Sequence, residues 1–126
     1  DYMGGRFEEI CRQFLLRKNR LGQVPILFTE IGRWWGTDSR AHRETEIDLM
    51  ARDEGAYLFC ECKWKTQTAG LPVLEALIEK SGLFHTEKNY YAIFSKSGFT
   101  PQLKDEAERR GDVLLYGVDE LTEAGL

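Results

Sequence analysis

Residues 56–65 constrain this chain more than any other stretch. Tyr57, Leu58, Phe59, Cys60, Cys62 and Trp64 give the run the apolar, aromatic-rich character of a strand, yet Glu61 and Lys63 interrupt it. Side chains alternate between the faces of a strand. Glu61 and Lys63 therefore share one face with Phe59, while Leu58, Cys60, Cys62 and Trp64 occupy the other. Burying a carboxylate or an ammonium costs several kcal/mol unless it is paired or bound to a metal. The fold must bring further charged groups to this strand.

The preceding run, residues 44–52, also alternates. It sets Ile47, Leu49 and Ala51 on one face and Glu46, Asp48 and Met50 on the other. Asp53-Glu54-Gly55 is a turn signal that folds the two runs into a hairpin. Asp48 is then expected to converge with Glu61 and Lys63 at one end of the sheet. Adjacent carboxylates repel, and each raises the other's pKa unless a cation lies between them. Mg²⁺, or Mn²⁺ in its place, suits such a site because it takes carboxylate, carbonyl and water oxygens together with substrate phosphate. Lys63 beside it would orient or deprotonate an attacking water. The chemistry indicated is phosphodiester hydrolysis, and the backbone carbonyl of Cys62 is a further candidate ligand.

Around this hairpin the periodicity predicts an ordered α/β succession. Phe7, Ile10, Cys11, Phe14 and Leu15 form a stripe that predicts a helix over residues 4–18, with Glu8 at its edge and Glu9 opposite. A strand is expected over 26–35 and a polar loop over 36–43. A second helix is expected over 71–84, with Leu71, Leu74, Leu77, Ile78 and Phe84 inward and Pro72 in its first turn. A short strand over 90–95 follows, then a helix capped by Thr100 that starts at Pro101 and ends at Gly111, then a strand over 113–116. The order is helix, three strands, helix, strand, helix, strand.

A chain of 126 residues, 42% hydrophobic and 30% charged, suits one folded domain over 1–126 with no repeat or linker. Its start at Asp1 rather than Met suggests a piece of a longer protein. The net charge of −4 argues against nucleic-acid binding by bulk electrostatics alone. The bases Arg6, Arg12, Arg17, Lys18, Arg20, Arg33, Arg40 and Arg43 nevertheless outnumber the acids in residues 6–43 and allow a basic face there. Three cysteines, two of them strand-like, read as reduced thiols packed in the core rather than as nucleophiles or a zinc site. The apolar runs are too short for a membrane span, so a soluble, cytoplasmic protein without membrane contact is expected. No Gly-x-x-x-x-Gly-Lys-Ser/Thr run occurs.

At Glu46-Ile47-Asp48-Leu49 and Glu61-Cys62-Lys63 the sequence resembles the PD-(D/E)XK nuclease-like superfamily, with Ile47 where the name-giving proline stands. Phe7-Glu8 matches the additional acid that many members carry on the first helix. The opening Gly4-x-x-Phe7-Glu8, Glu61-Cys62-Lys63-Trp64 and residues 94–99 are similar, more narrowly, to the C-terminal domain of unknown function of archaeal-type P-loop ATPases. The resemblance implies a restriction-endonuclease-like αβββαβ core, a mixed central sheet flanked by helices. It also implies a metal-dependent endonuclease acting on DNA and attached to an N-terminal ATPase domain outside this chain. Asp48, Glu61 and the Cys62 carbonyl would bind metal, Lys63 would serve the water and phosphate, and Glu8 would hold a second metal or its water.

The competing expectation is a catalytically silent DNA- or protein-binding scaffold in which the ionic cluster is structural. RNA as substrate and self-association stay open. Several other residues have bland readings. Glu46 can be a solvent-facing acid, and His42 and His85 are ordinary surface residues. Lys96 belongs to an exposed loop. One of Trp34 and Trp35 belongs to the core, because neighbours on a strand face opposite ways, and the other is free to stack on a base.

Overall fold

The computed structural model describes residues 2–40 and 42–123. The elements are α1 (Tyr2–Arg20), β1 (Glu30–Asp38), β2 (Arg43–Arg52), β3 (Ala56–Lys63), α2 (Leu71–Ser81), β4 (Lys88–Ser95), α3 (Pro101–Arg110), β5 (Val113–Gly117) and α4 (Val118–Glu123). They build one five-stranded sheet of order β1-β2-β3-β4-β5. The first three strands pair antiparallel as a meander, and β4 and β5 add in parallel. Tight turns suffice for the meander, whereas each parallel step requires a crossover, which α2 and α3 supply. The α/β class and the αβββαβ order expected from the sequence are present.

The sheet is covered on both faces. Phe7, Cys11, Phe14 and Leu15 of α1 pack on Leu49, Ala51, Leu58, Cys60, Ala92 and Phe94, joined by Leu121 of α4. On the other face, Leu74 and Leu77 of α2 and Leu103 and Ala107 of α3 cover Ile47, Phe59, Tyr91, Ile93 and Val113. Phe59 and Leu58 are both fully buried on opposite faces, as the alternation of β3 requires. Thr100 caps α3 by accepting the N–H of Leu103 at 3.2 Å, and Gly111 ends that helix in the left-handed conformation.

Four expectations are corrected. β1 begins at Glu30, not near residue 26, and runs through the expected loop to Asp38. Ile26 and Phe28 are buried without belonging to a strand, because the Asn19 side chain binds both the N–H and the carbonyl of Phe28 and satisfies the backbone there. Gly36 does not break β1, since the Trp34 ring lies where a Cβ would stand, 2.7 Å from Cζ2. The second correction concerns the alternation of β2. The register passes from Gly32↔Met50 to Trp34↔Ile47, so Asp48 and Leu49 together oppose Arg33 in a bulge. Ile47 is thereby turned to the α2 face, while Leu49 and Ala51 face α1.

Third, α2 ends at Ser81, and Phe84 packs beyond it against Trp34, Tyr57 and Phe59. Fourth, α4 was not expected. A six-residue element carries too little periodicity to be seen, and its start is tied by the Glu120 carboxylate accepting the Gly117 N–H at 2.9 Å.

Phe14 is fully buried between the rings of Phe94 and Tyr116. Phe14→Ala is expected to lower unfolding free energy by about 3–5 kcal/mol in denaturant titration. Burial, with Cys60 and Glu120 nearby, pushes the Tyr116 phenol up to about 12. The unfolded chain ionises first, near pH 10. Stability is therefore full below that pH and declines as pH rises toward 12. Tyr116→Phe should flatten this alkaline loss in melting temperature measured across that range.

Candidate active site

β2 and β3 pair from Arg52↔Tyr57 to Leu49↔Cys60, where their ladder ends. At the next step the Asp48 carboxylate accepts the Cys62 N–H at 2.9 Å, replacing a main-chain partner with a side chain. The bulge in β2 supplies the displacement that permits it. β3 meanwhile stays paired with β4 as far as Lys63↔Ser95, and the Lys63 carbonyl accepts the Lys96 N–H on that edge. Successive strand residues direct their backbone groups to opposite edges, so the Cys62 carbonyl shares the Asp48 edge with its N–H.

Glu61 lies on the α2 face of β3. One oxygen of its nearly buried carboxylate is 3.2 Å from Lys63 Nζ, and the other is 3.9 Å from Lys80 Nζ on α2. Glu8, on the inner edge of α1, is 3.7 Å from Arg33, which also stands 3.4 Å from Glu46. Glu9 faces outward and pairs with Arg12, as the helical angles predict. Burial first and Asp48 second raise the Glu61 carboxyl above its ordinary range, opposed by Lys80 and Lys63. Burial and then Asp48 raise Glu8 as well, with Arg33 opposing and Glu46 and Glu61 adding. Glu8, Asp48 and Glu61 thus share one electrostatic field although they come from three elements.

Among the described residues no three His, Cys, Asp or Glu side chains are gathered closely enough to hold one ion. Glu61 is instead directed at two ammonium groups, Asp48 at an amide and Glu8 at a guanidinium. The donor set still fits a hard divalent cation, being carboxylate and carbonyl oxygens whose mutual repulsion such an ion relieves. Asp48, Glu61 and the Cys62 carbonyl would be its holders, with Glu8 nearby. The thiols do not compete. The cysteines are free, burial holds the Cys60 thiol well above its ordinary value, and a hydrogen bond with Cys11 followed by burial does the same for Cys62.

Lys80 and Arg33 are the two charged neighbours that reading the sequence missed. Lys80 stands three residues beyond Leu77 at the edge of the apolar stripe of α2, where a long side chain reaches past the sheet surface. Arg33 follows Ile31 by two on β1, and that spacing alone could have placed it on the α1 face. Trp34 packs on Phe84, while Trp35 is 71% exposed. His42 and His85 are exposed, and so is Lys96, whose ammonium lies 4.6 Å above the Trp64 ring.

Residues 1–75 match the family DUF234, archaea bacterial proteins of unknown function. The uncharacterized protein MJECL04 of Methanocaldococcus jannaschii is 35% identical over 97% of this chain, and the chain spans 26% of that relative's length. The crystal structure of AF1548, a protein of unknown function, superimposes with a TM-score of 0.50 at 20% identity, covering 92% of this chain and 66% of that one. The DNA modification-dependent restriction endonuclease AspBHI gives 0.48 at 18% identity over 96% of this chain and 32% of its own. Among the described residues no helix is long and apolar enough to cross a membrane.

The Asp48 to Cys62 contact predicts a contrast that needs no metal. Asp48→Ala leaves the Cys62 N–H without its acceptor and should cost about 1–3 kcal/mol. Asp48→Asn keeps an acceptor oxygen and should cost less. Thermal denaturation of both variants in a chelating buffer measures the difference.

Proposed function

The chain belongs to the DUF234 family of archaea bacterial proteins of unknown function, and we propose that it forms a divalent-metal-dependent endonuclease domain acting on DNA. The parting of β2 from β3 at Asp48 carries this reading. It seats the Asp48 carboxylate on the Cys62 N–H, between Glu61 and Lys63 in β3, and Asp48 acts on both Glu61 and Glu8 of α1.

In this reading Asp48 and Glu61 hold Mg²⁺ or Mn²⁺ with the Cys62 carbonyl, and Glu8 binds a second ion or an associated water. The bound ion would supply polarisation of the phosphoryl oxygen and acidification of a water. Lys63, released from its pairing with Glu61, orients or deprotonates the attacking water and offsets charge on the phosphate. Lys80 stays within reach of the Glu61 carboxylate and limits the cost of holding it ionised near Asp48. The M. jannaschii relative is about four times the length covered here. We propose that the remainder of such proteins includes a P-loop ATPase domain that regulates this one in the cytoplasm.

One observation favours a second reading. Glu61 already has two ammonium partners, so the cluster can stand as a neutralised ion network in a scaffold that binds DNA or protein without cutting.

Titration with Mg²⁺ or Mn²⁺ separates the two. A cation bound only by the folded chain raises the melting temperature by mass action, and Asp48→Asn should abolish the rise. With either ion the wild type should cleave plasmid or branched DNA, and Lys63→Ala should lose about 100-fold or more of that rate. Absence of both the thermal shift and cleavage would favour the scaffold.

A further inference from the structure

We infer that Trp35 is a stacking platform for an unpaired DNA base, so that the substrate is single-stranded, frayed or flapped DNA rather than intact duplex. The inference deepens the endonuclease reading and, for its place in catalysis, rests on it.

Trp35 is 71% exposed on β1, an edge strand of the sheet. Its neighbour Trp34 faces the opposite way and packs 4.9 Å from the Phe84 ring, lying across Gly36. β1 is also paired with β2 from Glu30 to Asp38 apart from the bulge. The exposed indole therefore stands on an anchored strand, with little freedom to lose on binding. Beside it opens a cavity of about 750 Å³ lined by Trp35, Gly36, Thr37, Glu44, Thr45 and Glu46.

Register ties this cavity to the candidate active site. Trp35 is opposite Glu46 and two residues beyond Arg33, so all three lie on the α1 face. Arg33 reaches both Glu46 and Glu8 and so spans the gap between the cavity and the carboxylates. The charges assign an orientation. Glu44 and Glu46 repel a phosphate but accept hydrogen bonds from the amino groups of a base edge. Arg33 is suited to the adjoining phosphate. A nucleotide with its base on Trp35 and its phosphate at Arg33 directs the next stretch of backbone toward Glu8 and Asp48. Bases within a duplex present no free face to an indole, so the arrangement selects an unstacked nucleotide.

Fluorescence anisotropy with a labelled single-stranded oligonucleotide and with the blunt duplex of equal length, both in EDTA, tests the platform without cleavage. The wild type should bind the single strand more tightly than the duplex. Trp35→Ala should weaken single-strand binding by roughly 5- to 150-fold, and Trp35→Phe should restore most of it. Because Trp35 is exposed, an unchanged melting temperature verifies that the variant is folded. Equal single-strand affinity in wild type and Trp35→Ala, or a preference for duplex, overturns the platform even if metal-dependent cleavage is observed. Trp35-dependent binding of the single strand, with no cleavage when Mg²⁺ or Mn²⁺ replaces EDTA, supports the platform and removes the endonuclease.

Discussion

The hydrogen bond from the Cys62 N–H to the Asp48 carboxylate is the contact on which the rest of the arrangement depends. An antiparallel pair ordinarily satisfies each inward N–H with a carbonyl across the ladder. Here the ladder stops at Leu49↔Cys60 and the Asp48 side chain takes over. The substitution opens the end of the meander while leaving the amide satisfied. It also fixes an acid against the backbone of the strand that carries Glu61 and Lys63. The bulge opposite Arg33 is the other half of the device, because it frees Asp48 from the regular alternation of β2.

Electrostatics then distinguish this edge from a surface ion network. Exposed pairs such as Arg12 with Glu9 contribute little to stability. The Glu61 carboxylate is instead nearly buried, and its oxygens are divided between Lys63 and Lys80. Asp48 works against it and raises it, as it does Glu8. Asp48 thus disfavours the ionised forms of Glu61 and Glu8, with Lys80 and Lys63 compensating in part at Glu61 and Arg33 at Glu8. Such an arrangement is costly as structure alone, and a divalent cation would relieve it. Phe59 and Cys60, both fully buried, pack this strand between the helices on the two faces of the sheet.

The sequence made the meander, the two crossover helices and the placing of Asp48 on the strand next to the one that carries Glu61 and Lys63 legible, because these rest on local periods. Alternation in residues 56–65 correctly set Phe59 on one face and Leu58, Cys60, Cys62 and Trp64 on the other. It failed at Ile47, where the bulge inserts a residue that no local pattern announces. It failed also at residues 26–29, where apolar burial in a connection mimics a strand and only the distant Asn19 amide explains the backbone. The pairings of Lys80 with Glu61 and of Arg33 with Glu8 escaped notice for a related reason. The roles of these bases are defined by which carboxylate they meet in space, and neither belongs to a spacing pattern with Glu61 or Glu8.

The central claim is that these carboxylates form a cation site, and crystals soaked in manganese test it most directly through anomalous scattering. The account predicts a manganese peak with oxygens of Asp48, Glu61 and the Cys62 carbonyl at about 2.1 Å, and Lys63 turned away from Glu61. A map without a peak at millimolar manganese, with Glu61 still paired to Lys63 and Lys80, would contradict it.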